Sequence, residues 1–135
     1  MNHSSLVRAA LAAVTLLASL FALTPAHAAI TDYAFELVEV EVHKGEATIV
    51  SVRLVDKRTG ALVPDAVIIE QRIDMAPDGM ETMAGVLEAL PPTEPGVYPF
   101  KAGLIMQGGW RLSLSAKVQG EEGTLDSKLE FKVLP

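Results

Sequence analysis

Apolar and polar residues alternate along most of this chain, and this period of two constrains the fold more than any other feature of the sequence. The clearest example is the segment 110–118, in which every even position is apolar and every odd position is polar. Successive side chains of a β-strand point to opposite faces of a sheet, so the pattern predicts a strand with one buried face. Similar alternation occurs at 50–54, 98–106 and 128–133.

Groups of turn-forming residues separate these segments, among them Pro77-Asp78-Gly79 and Gln107-Gly108-Gly109. They divide the chain into about seven predicted strands, at 33–42, 47–55, 66–75, 82–89, 97–106, 110–118 and 125–133. The apolar phase slips at Leu37 and Val38, which predicts a bulge in the first strand. Short strands at this spacing predict an all-β, immunoglobulin-like antiparallel sandwich that occupies residues 29–135 as one domain.

Residues 1–28 have the pattern of a signal peptide. Arg8 is the only charged residue before Asp32, a predominantly apolar stretch follows at 9–23, and Ala26 and Ala28 form a small-x-small cleavage site. We expect the cut after Ala28. The alternative is an uncleaved anchor, although Pro25 ends the stretch short of the roughly 20 residues that span a bilayer. A signal without a lipobox cysteine predicts a periplasmic protein that does not span the membrane after cleavage.

Charge and composition exclude several classes of function. The formal net charge of -6 disfavours nucleic acid as a partner, because phosphate binding requires clustered Lys and Arg. There is no cysteine, which rules out disulfides, thiolate metal sites and cysteine nucleophiles. The only histidine after residue 28 is His43, and neither a Gly-x-Ser-x-Gly nor a His-Glu-x-x-His motif occurs. We therefore expect no enzyme and no catalytic residues.

Four of the five methionines lie close together in the sequence: Met75, Met80, Met83 and Met106. The first three surround the Pro77-Asp78-Gly79 turn, and Met106 is predicted to end a strand shortly before Trp110. Thioether sulfur is a soft, uncharged ligand that suits Cu(I) or Ag(I) and discriminates against hard cations. Trp110 could cap such a site, because a cation over an indole face is attracted to the ring. These five residues are the candidate metal site.

The same methionines have a packing interpretation. Methionine fills irregular gaps in protein cores. Met75 is in phase with Ile69 and Ile73, and Met106 is in phase with Phe100 and Leu104, so these side chains could simply close one end of the sandwich. Met80 and Met83 fit this interpretation less well, because they flank a polar turn.

Three motifs occur in order: 74–80 with its paired methionines, Pro95-Gly96-Val97-Tyr98, and the segment 106–112 that contains Met106, Gly109 and Trp110. In these motifs the chain resembles the FixH/YtkA-like family over about two thirds of its expected mature length. The resemblance implies an immunoglobulin-like sandwich and a role in copper provision or heavy-metal export, with Met80, Met106 and Trp110 as the best-matched positions. Many relatives have a histidine near the methionine turn, where Asp78 and Glu81 stand in this chain.

Two hypotheses follow. The first is a Cu(I)- or Ag(I)-binding accessory that carries metal for a membrane efflux or oxidase-assembly complex by ligand exchange. The second is a metal-free interaction module that docks on a membrane or envelope complex through an exposed strand edge or the 91–96 loop. The first predicts sulfur atoms that converge at one end of the sandwich. The second predicts methionines dispersed in the core and an exposed apolar patch elsewhere.

Overall fold

A computed structural model of the protein describes residues 28–135, and within that range the chain forms nine β-strands and two single-turn 3₁₀ helices. The strands are β1 (Tyr33–Leu37), β2 (Glu41–His43), β3 (Gly45–Asp56), β4 (Val67–Met75), β5 (Met80–Ala84), β6 (Leu87–Ala89), β7 (Val97–Leu104), β8 (Gly108–Lys117) and β9 (Leu125–Leu134). The 3₁₀ helices are Ile30–Asp32 and Ala76–Asp78. Apart from Ala28, the predicted signal peptide lies outside the described residues. Nowhere in 28–135 is a helix long and apolar enough to cross a bilayer.

The described strands form two sheets that share one core. The four-stranded sheet has the order β1-β3-β7-β6, and the five-stranded sheet has the order β2-β9-β8-β4-β5. All neighbouring strands are antiparallel except β2 and β9, which run parallel. This is the strand arrangement of an immunoglobulin sandwich. The larger sheet has two short additional strands at its edges, β2 beside β9 and β5 beside β4. The predicted fold class is confirmed.

The core lies between the sheets and follows the alternation seen in the sequence. On β8 the even positions from Trp110 to Ala116 are buried, and each faces the other sheet. The opposing side chains come from β3 and β7 and include Val50, Val52, Leu54, Phe100, Ala102 and Leu104. Burying a large apolar side chain of this kind contributes roughly 1.5–3 kcal/mol. The two sheets are therefore held together mainly by their inward-facing rows.

The predicted first strand, 33–42, is two strands in the structure. β1 pairs with β3 in the four-stranded sheet, whereas β2 pairs with β9 in the five-stranded sheet. The Val38 N–H still donates to Ser51 O on one sheet, and Val40 O accepts from Lys132 N–H on the other. The phase slip at Leu37 and Val38 thus marks a transfer between sheets, and the prediction of a bulge within one strand was wrong.

The predicted strand 82–89 divides in the same way. β5 lies at the edge of the five-stranded sheet and β6 at the edge of the four-stranded sheet. Gly85 N–H donates to Ile73 O, and Val86 O accepts from Gly103 N–H, so the chain changes sheets between residues 85 and 86. The chain consequently crosses from one sheet to the other at both lateral edges of the sandwich.

Two smaller expectations also need correction. The register of β4 against β8 shifts between Ile68 and Glu70, so Ile69 is exposed and does not share the buried face of Ile73 and Met75. β7 ends at Leu104 and β8 begins at Gly108, so Met106 lies in the connection between the strands instead of ending one of them.

Candidate metal centre

The segment 75–80, here called the methionine turn, connects β4 to β5. It contains the 3₁₀ helix Ala76–Asp78, with Pro77 in the first positions of that helix. Gly79 caps the C-terminal end of the helix and has φ 73°. Glycine adopts this left-handed conformation without the steric cost that a Cβ atom imposes. Met75 and Met80 are cross-strand partners on either side of the turn. The turn predicted at Pro77-Asp78-Gly79 is confirmed.

Asp74 fixes the start of the methionine turn. Its carboxylate is only 1% exposed, and it accepts hydrogen bonds from Ala76 N–H at 3.0 Å and from Arg72 Nε at 2.9 Å. The Arg111 guanidinium lies 3.5 Å from the same carboxylate. Burial alone would raise the pKa of Asp74, but the Ala76 hydrogen bond and the two guanidinium groups outweigh it, so the pKa lies below its ordinary value. Asp74 is therefore a buried, ionised anchor for the turn.

The other end of the turn is attached to β8. Gly109 N–H donates to Asp78 Oδ2 at 3.1 Å. A Cβ atom on Gly109 would lie 2.8 Å from Pro77 Cβ, and one on Gly108 would collide with the Asp78 carboxylate. Close approach of the turn to β8 therefore requires both glycines. It also places the turn beside Trp110, the next residue along the strand.

Met75 is a core residue. Its side chain is fully buried, and its methyl group packs against the start of β8, where a Cβ atom on Gly108 would lie 3.0 Å from Met75 Cε. The burial of Met75 agrees with the packing interpretation, because Met75 and Ile73 are both buried on the same face of β4. Met75 contributes to the support of the turn and is not accessible from solvent.

Met80 and Met106 lie at the surface near the same end of the larger sheet. Their exposed fractions are 37% and 36%, and neither belongs to the buried core. Met106 O accepts a hydrogen bond from Trp110 Nε1 at 2.9 Å, which holds the β7–β8 connection against the indole. Both side chains are therefore partly accessible from solvent.

Met83 and Trp110 line one crevice, of about 350 Å³, beside the point where the chain changes sheets. Its other lining residues are Glu46, Ala84, Gly85, Val86, Gly103 and Ile105. Met83 is partly buried and packs against the core, whereas Trp110 is almost completely buried. The sequence-predicted residues are thus divided: Met83 and Trp110 share the crevice, Met80 and Met106 are exposed outside its lining, and Met75 lies in the core.

Sequence reasoning did not identify Glu46, Gly85 or Gly103 as part of this region. Gly85 packs so closely that a Cβ atom there would lie 2.7 Å from Gly103 O and 3.3 Å from Trp110 Cζ3. A glycine inside an apparently continuous strand signals a close backbone approach, and that signal was present in the sequence. Within residues 28–135, no group of three or more His, Cys, Asp and Glu side chains could hold a metal ion.

The model of a family described as YtkA-like matches residues 27–115. Among solved structures, the chain is similar to the crystal structure of the Lin-41 filamin domain, with 20% identity, 68% of this chain and 89% of that chain covered, and a TM-score of 0.42. It is also similar to the ZirS C-terminal domain, with 12% identity, coverage of 79% and 68%, and a TM-score of 0.46. No curated protein matches the sequence.

Proposed function

The chain belongs to the YtkA-like family, and from that premise we propose that it is a periplasmic accessory protein that binds Cu(I) or Ag(I). It would carry the ion to or from a membrane metal-efflux or oxidase-assembly complex. The ion passes by exchange of ligands, so the protein itself catalyses no reaction. The observation that carries the proposal is the presence of Met83 and Trp110 in one crevice, with Met80 and Met106 exposed at the same end of the sandwich.

The chemistry of the donor set supports a soft monovalent ion. Thioethers carry no charge and no proton, so they bind Cu(I) and Ag(I) without competition from acid, and they hold Zn(II) and hard cations poorly. The buried indole of Trp110 supplies an aromatic wall, and a cation near its face would be stabilised by about 0.5–2 kcal/mol. Met75 would take no direct part, because its side chain lies behind the turn in the core.

Metal titration with matched variants tests this function. Cu(I), delivered from a competing chelator, should bind the wild type, and the double variant Met80→Leu/Met83→Leu should bind it at least about tenfold more weakly. Met75→Leu is the matched control, because it also replaces one thioether with an apolar side chain of similar volume. Its affinity should equal that of the wild type. Unchanged affinity in the double variant would refute the proposal.

The single tryptophan gives the titration an optical readout. Because Trp110 lines the crevice, Ag(I) bound there should quench its fluorescence with the same stoichiometry as the chelator competition. Binding of Ag(I) without any change in Trp110 emission would place the ion elsewhere on the protein.

A metal-free interaction module remains the second candidate, and one observation favours it. Val86 and Ile105 are 80% and 61% exposed, and both border the crevice next to the edge strand β6. Exposed apolar residues beside a strand edge are a common feature of protein-binding surfaces. This candidate predicts that wild type and Met83→Leu bind Ag(I) equally weakly.

A further inference from the structure

Alternate residues of β3 and β7 form the outward surface of the four-stranded sheet. The even positions of both strands, such as Val52 and Phe100, are buried between the sheets. The odd positions from 49 to 55 and from 97 to 103 therefore point away from the core, and they are here called the β3–β7 face. Six of them are uncharged: Ile49, Ser51, Val55, Val97, Pro99 and Gly103. The other two are Arg53 and Lys101.

The opposite surface of the sandwich has a different composition. Of the eight outward positions at 111–117 on β8 and 126–132 on β9, six are charged: Arg111, Lys117, Asp126, Lys128, Glu130 and Lys132. A polar outward surface of this kind is typical of an antiparallel sheet that faces water. The β3–β7 face does not have it, so solvation alone does not account for its residues.

Apolar side chains at the margins enlarge the β3–β7 face. Val38 lies beside Ser51, to which its N–H donates, and Leu62 forms a bridge with Val55. These two side chains are 42% and 44% exposed, and Ile49 within the face is 49% exposed. Contiguous exposed apolar surface in a soluble domain is a mark of an interaction site.

Arg53 lies in the middle of this face, between Glu36 on β1 and Val97 on β7. Its Nε atom is buried and has no hydrogen-bond partner among residues 28–135. The other three arginines of that range each reach an aspartate, Arg58 at 3.0 Å, Arg72 at 2.9 Å and Arg111 at 3.5 Å. Arg53 forms no ion pair within the described part of the chain, although Glu36 stands opposite it. A buried donor without a partner is rare and requires an explanation.

The charge of the β3–β7 face indicates what would complement it. Lys101 is paired with Glu88 on the edge strand β6 at 3.0 Å, which leaves Arg53 as the unpaired charge of the face. A guanidinium group binds a carboxylate through two parallel hydrogen bonds. Arginine among apolar residues is also the composition of protein interface cores, where lysine, aspartate and glutamate are depleted. The complement is therefore a carboxylate that is carried by an apolar polypeptide surface.

A second copy of the chain does not provide this complement through the same surface. Two β3–β7 faces brought together would oppose Arg53 and Lys101 to the same cations, and neither face contains a carboxylate. We propose that the β3–β7 face docks an acidic segment of a different protein, in which an Asp or Glu flanked by apolar side chains pairs with Arg53. This inference does not depend on the binding of an ion.

Peptide selection against charge variants tests the proposal. Short random peptides displayed on phage would be selected on the metal-free protein and counter-selected on Arg53→Glu. The selected peptides should contain an Asp or Glu next to apolar residues, and they should bind Arg53→Glu at least about tenfold more weakly than the wild type. Lys128→Glu makes the same change of charge on the outward surface of β9, and it should leave the affinity unchanged. Circular dichroism of both variants should match that of the wild type.

A charge exchange distinguishes pairing with Arg53 from general apolar contact. When the acidic residue of a selected peptide is replaced by lysine, the peptide should prefer Arg53→Glu to the wild type. The proposal is refuted if no peptide distinguishes the wild type from Arg53→Glu, or if the exchanged peptide shows no such preference. If the wild type self-associates in sedimentation while Arg53→Glu stays monomeric, the partner is a second copy and the assignment to another protein is wrong. Each of these failures would leave the proposed metal binding untouched.

Discussion

The indole Nε1–H of Trp110 donates to the main-chain carbonyl of Met106 across a distance of 2.9 Å. This bond closes the β7–β8 connection over the buried ring and ties an exposed methionine to the core. It also explains why Trp110 can be almost completely buried, because its one polar atom has a partner.

Replacing Trp110 with phenylalanine should destabilise the protein by about 2 kcal/mol, through loss of the hydrogen bond and of part of the packed ring. Urea unfolding followed by far-UV circular dichroism would measure the change, since the variant has no tryptophan. A loss below about 0.5 kcal/mol, typical of surface substitutions, would mean that the bond to Met106 contributes little.

Gly85→Ala and Gly103→Ala form a matched pair that tests the packing of the sheet crossing. A methyl group at Gly85 would lie 2.7 Å from Gly103 O and 3.0 Å from Ile73 Cγ2, whereas the nearest neighbours of one at Gly103 would lie at 3.7 Å, an ordinary van der Waals distance. We expect Gly85→Ala to cost about 2–3 kcal/mol in free energy of unfolding. Gly103→Ala should cost less than about 0.5 kcal/mol. If thermal or urea unfolding showed that Gly85→Ala and Gly103→Ala lower the free energy of unfolding equally, this account of the packing would be contradicted.

Asp74 should make stability depend on pH in the acid range. Its folded-state pKa is lowered, so its contribution is fully present above its unfolded pKa of about 3.9 and is lost as the pH falls through the lower folded value. Asp74→Asn should therefore be less stable than the wild type by about 2 kcal/mol from pH 7 to pH 5, because hydrogen bonds to a charged group are lost.

The difference between Asp74→Asn and the wild type should begin to shrink below about pH 4, where the carboxylate of the unfolded chain becomes protonated, and should be smallest below the lowered folded-state pKa of Asp74. Urea unfolding at a series of pH values would show this convergence. A gap that stays constant down to pH 2 would indicate that the substitution acts through packing and not through the charge of Asp74.

Processing after Ala28 would create a new ion pair. The Ala29 nitrogen lies 2.8 Å from Asp32 Oδ2, and a free α-amino group is protonated at neutral pH. We expect the measured mass of the exported protein to be that of residues 29–135. We also expect Asp32→Asn to lower the free energy of unfolding of that processed form by about 0.5–1 kcal/mol. A mass that includes residues 1–28 would contradict the predicted cleavage and favour the retained anchor.

The alternation of residues was sufficient to predict the sandwich because each inward row had to match the opposite sheet. It could not show which sheet a strand joins. In 33–42 the phase slip at Leu37 and Val38 was visible, but a bulge and a transfer between sheets produce the same slip. In 82–89 the transfer falls on Gly85 and Val86, where no polar turn residue interrupts the pattern.

Met83 and Trp110 could be predicted from residue type, because soft sulfur and an indole have recognisable chemistry. The role of each methionine could not be, since it depends on depth in the fold: Met75 is covered by the start of β8, whereas Met83 faces the crevice. Glu46 was invisible in the sequence for a different reason. Its position depends on one extra residue in the pairing of β3 with β7, which no local pattern records.

The chain bridges the gap between the sheets at both lateral edges, once after β1 and once after β5. The two sheets of such a sandwich cannot separate along either lateral edge without stretching the backbone, because a covalent connection joins them at each edge. The crevice lined by Met83 and Trp110 lies next to the second of these crossings, so main-chain connections hold its walls together. A ligand that enters this crevice should therefore meet preformed walls and require little reorganisation of the protein.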